Sequence, residues 1–208
     1  MKRSSLETRA SDRIRSTAAE LFYRQGIRAV GVDELVTRAN ATKPSLYRSF
    51  VSKDELITAY LRDFAVAFWQ RFDAALGAHA GDPRAQLREL FVRSARRSGQ
   101  AHYRGCGLTN AAIEYPDEAH PAHQVVLQTK REVRRRLRRI TRALGVSEPN
   151  LLADGLTMLL EGVYVSRQIF GTGGPGRSLD RVANQMIDRW PRRKRLGRSS
   201  TRGARQKR

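Results

Sequence analysis

The chain has 208 residues, 40% of them hydrophobic, with 40 Lys and Arg against 20 Asp and Glu, a formal charge of +20. That length allows one large domain, or a domain of roughly 50 residues fused to a second, and the charge points to a polyanionic partner such as nucleic acid or an anionic membrane surface. No apolar run reaches the roughly 18 residues of a membrane-spanning helix, the N-terminus MKRSSLETRASDR lacks the apolar centre of a signal peptide, and a single cysteine, Cys106, excludes an internal disulfide or a zinc site of several thiolates. A cytoplasmic protein with no membrane partner is expected.

Glycine and proline fall between long periodic segments and no stretch alternates apolar with polar residues, so an all-α fold of about nine helices is expected. The first helix runs from about Ser11 to Gln25, with Ile14, Ala18, Leu21 and Phe22 on one stripe and Gly26 as its left-handed stop. A short second helix, Val32 to Ala39, buries Leu35 and Val36. Asn40-Ala41-Thr42 forms a turn, with Asn40 able to take a left-handed backbone. It opens a third helix, Lys43 to Phe50, capped by Thr42 and with Pro44 in its first turn. Leu46 and Phe50 share one face of it, which leaves Lys43, Ser45, Tyr47 and Arg48 outward.

Ser52 and Glu55 make a capping box for a long fourth helix. Its Leu56, Tyr60, Leu61, Phe64, Phe68, Trp69 and Phe72 form too broad an apolar surface for one neighbour, so it is expected to bridge two cores. Asp82-Pro83 starts a fifth helix carrying Leu87, Leu90, Phe91 and Ala95, and Gly105-Cys106-Gly107 precedes a sixth that ends near Glu114. After Pro116 and Pro121 comes a basic helix, about His123 to Leu144, whose residues 130–142 hold eight Lys or Arg and one acid, Glu132. A solvated face explains it most simply, with a second nucleic-acid surface as the alternative. Ser147-Glu148-Pro149 starts an eighth helix bearing Leu152, Leu156, Leu160 and Tyr164. A ninth carries Leu179, Val182, Ala183, Met186, Ile187 and Trp190. Residues 191–208 hold nine Lys or Arg and no acid, and are expected to be a basic disordered tail.

Two short helices joined by a three-residue turn and packed on a first helix make a helix-turn-helix, with Lys43–Ser49 as the recognition helix. Arg48 suits a guanine edge, Lys43 and Tyr47 suit phosphates, and Thr42 or Ser45 suits either. Lys53, at the next helix start, is placed to clamp the adjacent strand. Pro44 completes the candidate DNA-contacting set. Cys106, with His102 four residues before it, reads as a small buried hydrophobe in a tight turn before it reads as a nucleophile. His120 and His123, near Asp117 and Glu118, lack a third fixed metal ligand. Neither a metal, a cofactor nor an enzymatic activity is expected. Phe64, Phe68, Trp69, Phe91, Asn110 and Tyr164 are candidates to line an apolar ligand pocket.

The run DRIRSTAAELFYRQGIRAVGVDELVTRANATKPSLYRSFVSKDEL, residues 12–56, resembles the DNA-binding domain of the TetR family of bacterial transcriptional repressors. The likeness lies in the "AAELF" helix, the glycine stop, the "LYRSF" core and the "SKDEL" start. The chain departs from the family at Val30 and Gly31, where Thr and a capping Ser or Thr are usual, and at Asn40, Pro44 and Ser49. YRGCGLTNAAIEYPDEAHP, residues 103–121, is similar to a segment of some members. The resemblance implies a DNA-binding domain at 1–51, a helical ligand-binding and dimerisation domain at 52–190, and a homodimer through helices within 148–190. It also implies a palindromic double-stranded operator and an unidentified small-molecule effector that spreads the two reading heads. A sequence-specific repressor is therefore the leading expectation, and an architectural nucleic-acid binder of little sequence preference the alternative.

Overall fold

The computed structural model describes residues 2–193, with side chains from residue 10 onward, and the rest of the basic tail lies outside the described residues. Among the described residues the chain is helical: α1 Lys2–Gln25, α2 Val32–Arg38, α3 Lys43–Ser49, α4 Lys53–Gly77, α5 Pro83–Ser98, α6 Gly107–Glu114, α7 Pro121–Ala143, α8 Pro149–Phe170 and α9 Leu179–Arg189. Two short 3-10 turns separate α8 from α9. α1 begins at Lys2 rather than near Ser11, since neither glycine nor proline interrupts the chain before it.

α1 lies against α2, α3 and α4 around a small core of Ile14, Ala18, Leu35, Leu46, Leu56 and Ile57, all fully buried. α4 has 25 residues and spans about 37 Å at about 1.5 Å per residue. It touches α1 near its start and α5, α6 and α7 further along, which accounts for its broad apolar surface. At the junction Phe22 of α1 meets Tyr60 of α4 edge-on, ring centroids 5.5 Å apart. In the larger part α7 packs along α8 and α5 along α9. Where α8 meets α9, the end of the Met186 side chain fills the space beside Gly155.

Local details differ from the sequence expectations. α7 starts at Pro121, with the His120 ring nitrogen accepting from the Ala122 N–H at 3.2 Å, so His120 is its cap. The His123 ring bonds the Tyr115 carbonyl at 2.8 Å. Ser147 does not cap α8: it donates to the Pro191 carbonyl at 3.0 Å, and Glu148 stands at the cap position with φ +46° and no side-chain cap bond. Residues 191–193 fold back along 145–147, with Ser147 N–H donating to the Pro191 carbonyl and Arg193 N–H to the Gly145 carbonyl. Order therefore continues three residues into the segment expected to be tail.

The basic helix α7 is not simply a solvated face. Arg134 and Arg138 hold Asp154 of α8, Arg136 reaches Asp73 of α4 as well as Glu132, and Lys130 turns inward to Glu161 of α8 at 2.7 Å. Most of its cations are ties between helices.

Candidate functional site

The reading head is built by local rules. Asn40 takes φ +45° in the turn between α2 and α3, and Arg13 of α1 donates to the Ala39 and Asn40 carbonyls, both at 3.0 Å. The sequence pattern did not reveal this clasp, because it joins residues 26 and 27 positions apart. Thr42 caps α3 by accepting the Ser45 N–H at 3.3 Å. Gly31 precedes α2 without a side-chain cap, as its departure from the family pattern requires. Leu46 and Phe50 are buried beneath α3.

The outer face of α3 is polar and mostly engaged. Thr42 and Ser45 hydroxyls lie 2.9 Å apart, and Arg48 donates to the Ser45 hydroxyl at 3.2 Å. Pro44 is exposed in the first turn, and Tyr47 is 50% exposed. Lys43 sits 2.6 Å from Asp33, which raises its pKa through a hydrogen bond. Lys53 is not poised outward: it donates to the Ile27 carbonyl at 3.1 Å, and burial lowers its pKa. Contact with a strand beside α4 requires it to leave that carbonyl.

A second feature lies between α4, α5, α8 and the 103–106 segment: a cavity of about 380 Å³. Phe64, Phe68 and Tyr164 line it. Trp69, Phe91 and Asn110 do not. Trp69 faces away from it and lies under the Arg136 guanidinium, 4.2 Å from the ring centroid. Phe91 is packed wholly inside the core. Asn110 ties the 104 carbonyl to Gln168, at 2.9 and 3.0 Å. Cys106 is buried in the wall, 3.7 Å from Lys130 Nζ, whose stronger partners are Thr109 and Glu161.

The lining residues missed by sequence reasoning include Arg71, Arg93, Arg96, Arg97 and Tyr103. A signal was available. Arg71 occupies the apolar stripe of α4, seven residues after Phe64, and Arg97 stands seven after Leu90 on α5. A cation on an otherwise apolar stripe marks a face that meets something other than core.

Cavity and head share a joint. The Tyr23 hydroxyl, near the end of α1, accepts from the Arg104 N–H at 3.0 Å and donates to the Gly105 carbonyl at 3.1 Å. Gly105 has φ +79°, and a Cβ there would overlap the Tyr164 carbonyl, so only glycine lets the cavity wall approach α8 this closely. Beside it, Glu114 at the end of α6 accepts the Arg28 N–H at 2.8 Å. These bonds tie the cavity wall and the end of α6 to the end of α1 and the segment that follows it.

A helix-turn-helix with a cationic, hydroxyl-rich second helix, mounted on a helical body, defines a DNA-binding regulator. The profile of the family described as bacterial regulatory proteins, tetR family, matches residues 14–60. A putative TetR transcriptional regulator from Streptomyces avermitilis, sav143, is 30% identical, with a TM-score of 0.75 over 86% of this chain and 96% of that one. SCO4454, a TetR-family transcriptional regulator from Streptomyces coelicolor, is 28% identical, with a TM-score of 0.78 over 87% and 93%. The HTH-type transcriptional repressor KstR2 of Mycolicibacterium smegmatis is 26% identical over 85% of this chain and 86% of its own length. The chain belongs to the TetR family of bacterial transcriptional regulators.

Proposed function

We propose that the protein is a cytoplasmic, homodimeric repressor that holds a palindromic operator through α3 and leaves it when a small molecule fills the cavity. In this reading residues 1–51 bind DNA and residues 52–190 bind ligand and partner. Thr42, Lys43, Pro44, Ser45, Tyr47 and Arg48 form the DNA face, joined by Lys53 once it releases the Ile27 carbonyl. Phe64, Phe68 and Tyr164 contribute the apolar walls of the ligand site.

The observation that carries the ligand-release reading is the Tyr23 joint, because it links the cavity wall to the helix on which α2 and α3 are packed. A ligand that prefers one position of that wall shifts the population of head positions with it. Dimerisation is supported by exposed apolar side chains on α8 and α9: Leu151, Met158 and Ile169 recur on one stripe of α8, Met158 being 68% exposed, with Val182 on α9. The likeness to the repressor KstR2 over 85% of this chain supports repression.

The test is selection of bound sequences from a random DNA pool at near-physiological salt. A palindrome with half-sites about one helical turn or more apart is the expected outcome. Recovery of no consensus would transfer the case to the architectural alternative, whose binding is electrostatic and without a large specificity ratio.

A further inference from the structure

The cavity is apolar in its walls and cationic at one end. Phe64, Phe68 and Leu160 supply hydrocarbon surface, while four arginines, Arg71, Arg93, Arg96 and Arg97, stand among the lining residues and no Asp or Glu does; Arg93 is paired with Glu89 outside the lining. Arg71 makes no ion pair or hydrogen bond among the described residues, and Arg97 only lies over the Tyr103 ring, 5.5 Å from its centroid. The two guanidiniums sense each other: burial, then repulsion from Arg97, lowers the pKa of Arg71. Tyr103 and Tyr164, each 9% exposed, also line the cavity, and neither hydroxyl has a hydrogen-bond partner among the described residues. Burial raises both phenol pKa values, so both hydroxyls remain protonated donors at neutral pH.

A cationic ligand would add a further positive charge to a lining that already holds four arginines, and a neutral one would leave Arg71 and Arg97 as they are. An anion relieves their repulsion and gives both phenols an acceptor. The planar guanidinium fork matches a carboxylate in particular. On these grounds we infer that the cavity takes a small amphipathic carboxylate, its head between Arg71, Arg97 and the hydroxyls of Tyr103 and Tyr164, its apolar body against Phe64 and Phe68. The assignment rests on the reading of this cavity as the effector site. At the ~30 Å³ that a liquid water occupies, the cavity volume corresponds to roughly a dozen non-hydrogen atoms, the size of a ten-carbon fatty acid.

The experiment is calorimetric titration of the full-length protein with decanoate, decan-1-ol and decylamine, each below its aggregation limit. Decanoate should bind at least about tenfold more tightly than decan-1-ol, the order expected of charge-assisted hydrogen bonds, and decylamine should bind weakest. In the Arg71→Gln/Arg97→Gln protein the preference for acid over alcohol should vanish while decan-1-ol binding persists, which also shows that the variant is folded. Equal binding of acid and alcohol by the unaltered protein, preference for the amine, or no binding of decanoate would each overturn the inference without recourse to any variant. A parallel titration on operator-bound protein separates the two readings. Decanoate that binds but does not release DNA leaves the carboxylate site standing and removes the effector role, whereas release by a ligand that carries no anion does the reverse.

Discussion

On the reading head Lys43 lies 2.6 Å from Asp33, Lys53 donates to the Ile27 carbonyl and Arg48 to the Ser45 hydroxyl, whereas at the cavity end Arg71 and Arg97 face no carboxylate. Both regions are basic and both are candidates to meet anions, but they start from different states. The head is held in shape by its own polar groups, so a phosphate must displace a neighbour that the chain already supplies. Arg71 and Arg97 lie close enough to repel one another and have no such neighbour among the described residues. A formal charge of +20 therefore says little about where an anion is gained most readily; pairing decides that, and much of the positive charge of α7 is already matched by Asp154, Glu132, Asp73 and Glu161.

The strongest way to break the comparison is to remove the packing under the head. Leu46→Ala empties a fully buried position beneath α3 and should cost about 2–5 kcal/mol, read as a lower urea midpoint for the head. DNA binding should be lost while ligand binding in the cavity survives. Loss of both together would mean that head and body unfold as one unit. The next effect is specific to the surface. Arg48→Ala should weaken operator binding by about 1–3 kcal/mol and relax preference at one or two base pairs, while Tyr47→Ala weakens operator and random DNA alike. Equal losses on both DNAs for Arg48→Ala would remove its base-reading role.

The same contrast explains what was legible in the sequence. Gly26, Asn40, Thr42 and Ser52 could be placed because a left-handed turn or a helix cap is decided within four residues, and the structure gives Gly26 φ +98° and Asn40 φ +45° with Thr42 and Ser52 as caps. The cavity is decided by which face of α4 meets α5 and α8. Phe68 and Trp69 are adjacent in sequence and equally aromatic, yet only Phe68 lines it, because successive residues on a helix point about 100° apart. Phe91 was misplaced for the opposite reason, since periodicity separates buried from exposed positions but not core from cavity wall. The Lys53 bond to Ile27 and the Arg13 clasp join distant segments, and no local rule reports them.

A smaller effect tests whether the paired cations of the body act as ties. Arg134 and Arg138 hold the Asp154 carboxyl well below the usual carboxylate range. A carboxylate with a depressed pKa stabilises the fold above its unfolded value of about 4 and loses that contribution as the pH falls below it. Asp154→Asn should therefore lower stability at pH 7 by about 1 kcal/mol, a figure kept small because the pair is partly solvated. The difference from the unaltered protein should shrink progressively below about pH 4. A constant difference in thermal midpoint across that range would show that Asp154 matters for packing and not for charge.

The smallest effect addresses the head itself. Asp33 sits in the first turn of α2, where a negative charge is favourable to the helix, yet it also holds Lys43, the first residue of α3, by an ion pair between exposed side chains. Asp33→Asn removes the competitor and leaves the shape of the side chain. If phosphate must displace Asp33, the variant should bind operator roughly two- to threefold more tightly, the scale of one surface ion pair, with a similar salt slope because Lys43 makes the same phosphate contact in both proteins. The gain should appear on random DNA as well, since a phosphate contact carries no sequence information. Weaker binding would mean that Asp33 aims Lys43 at the backbone instead of withholding it, and the cations of the head would then be pre-positioned for DNA.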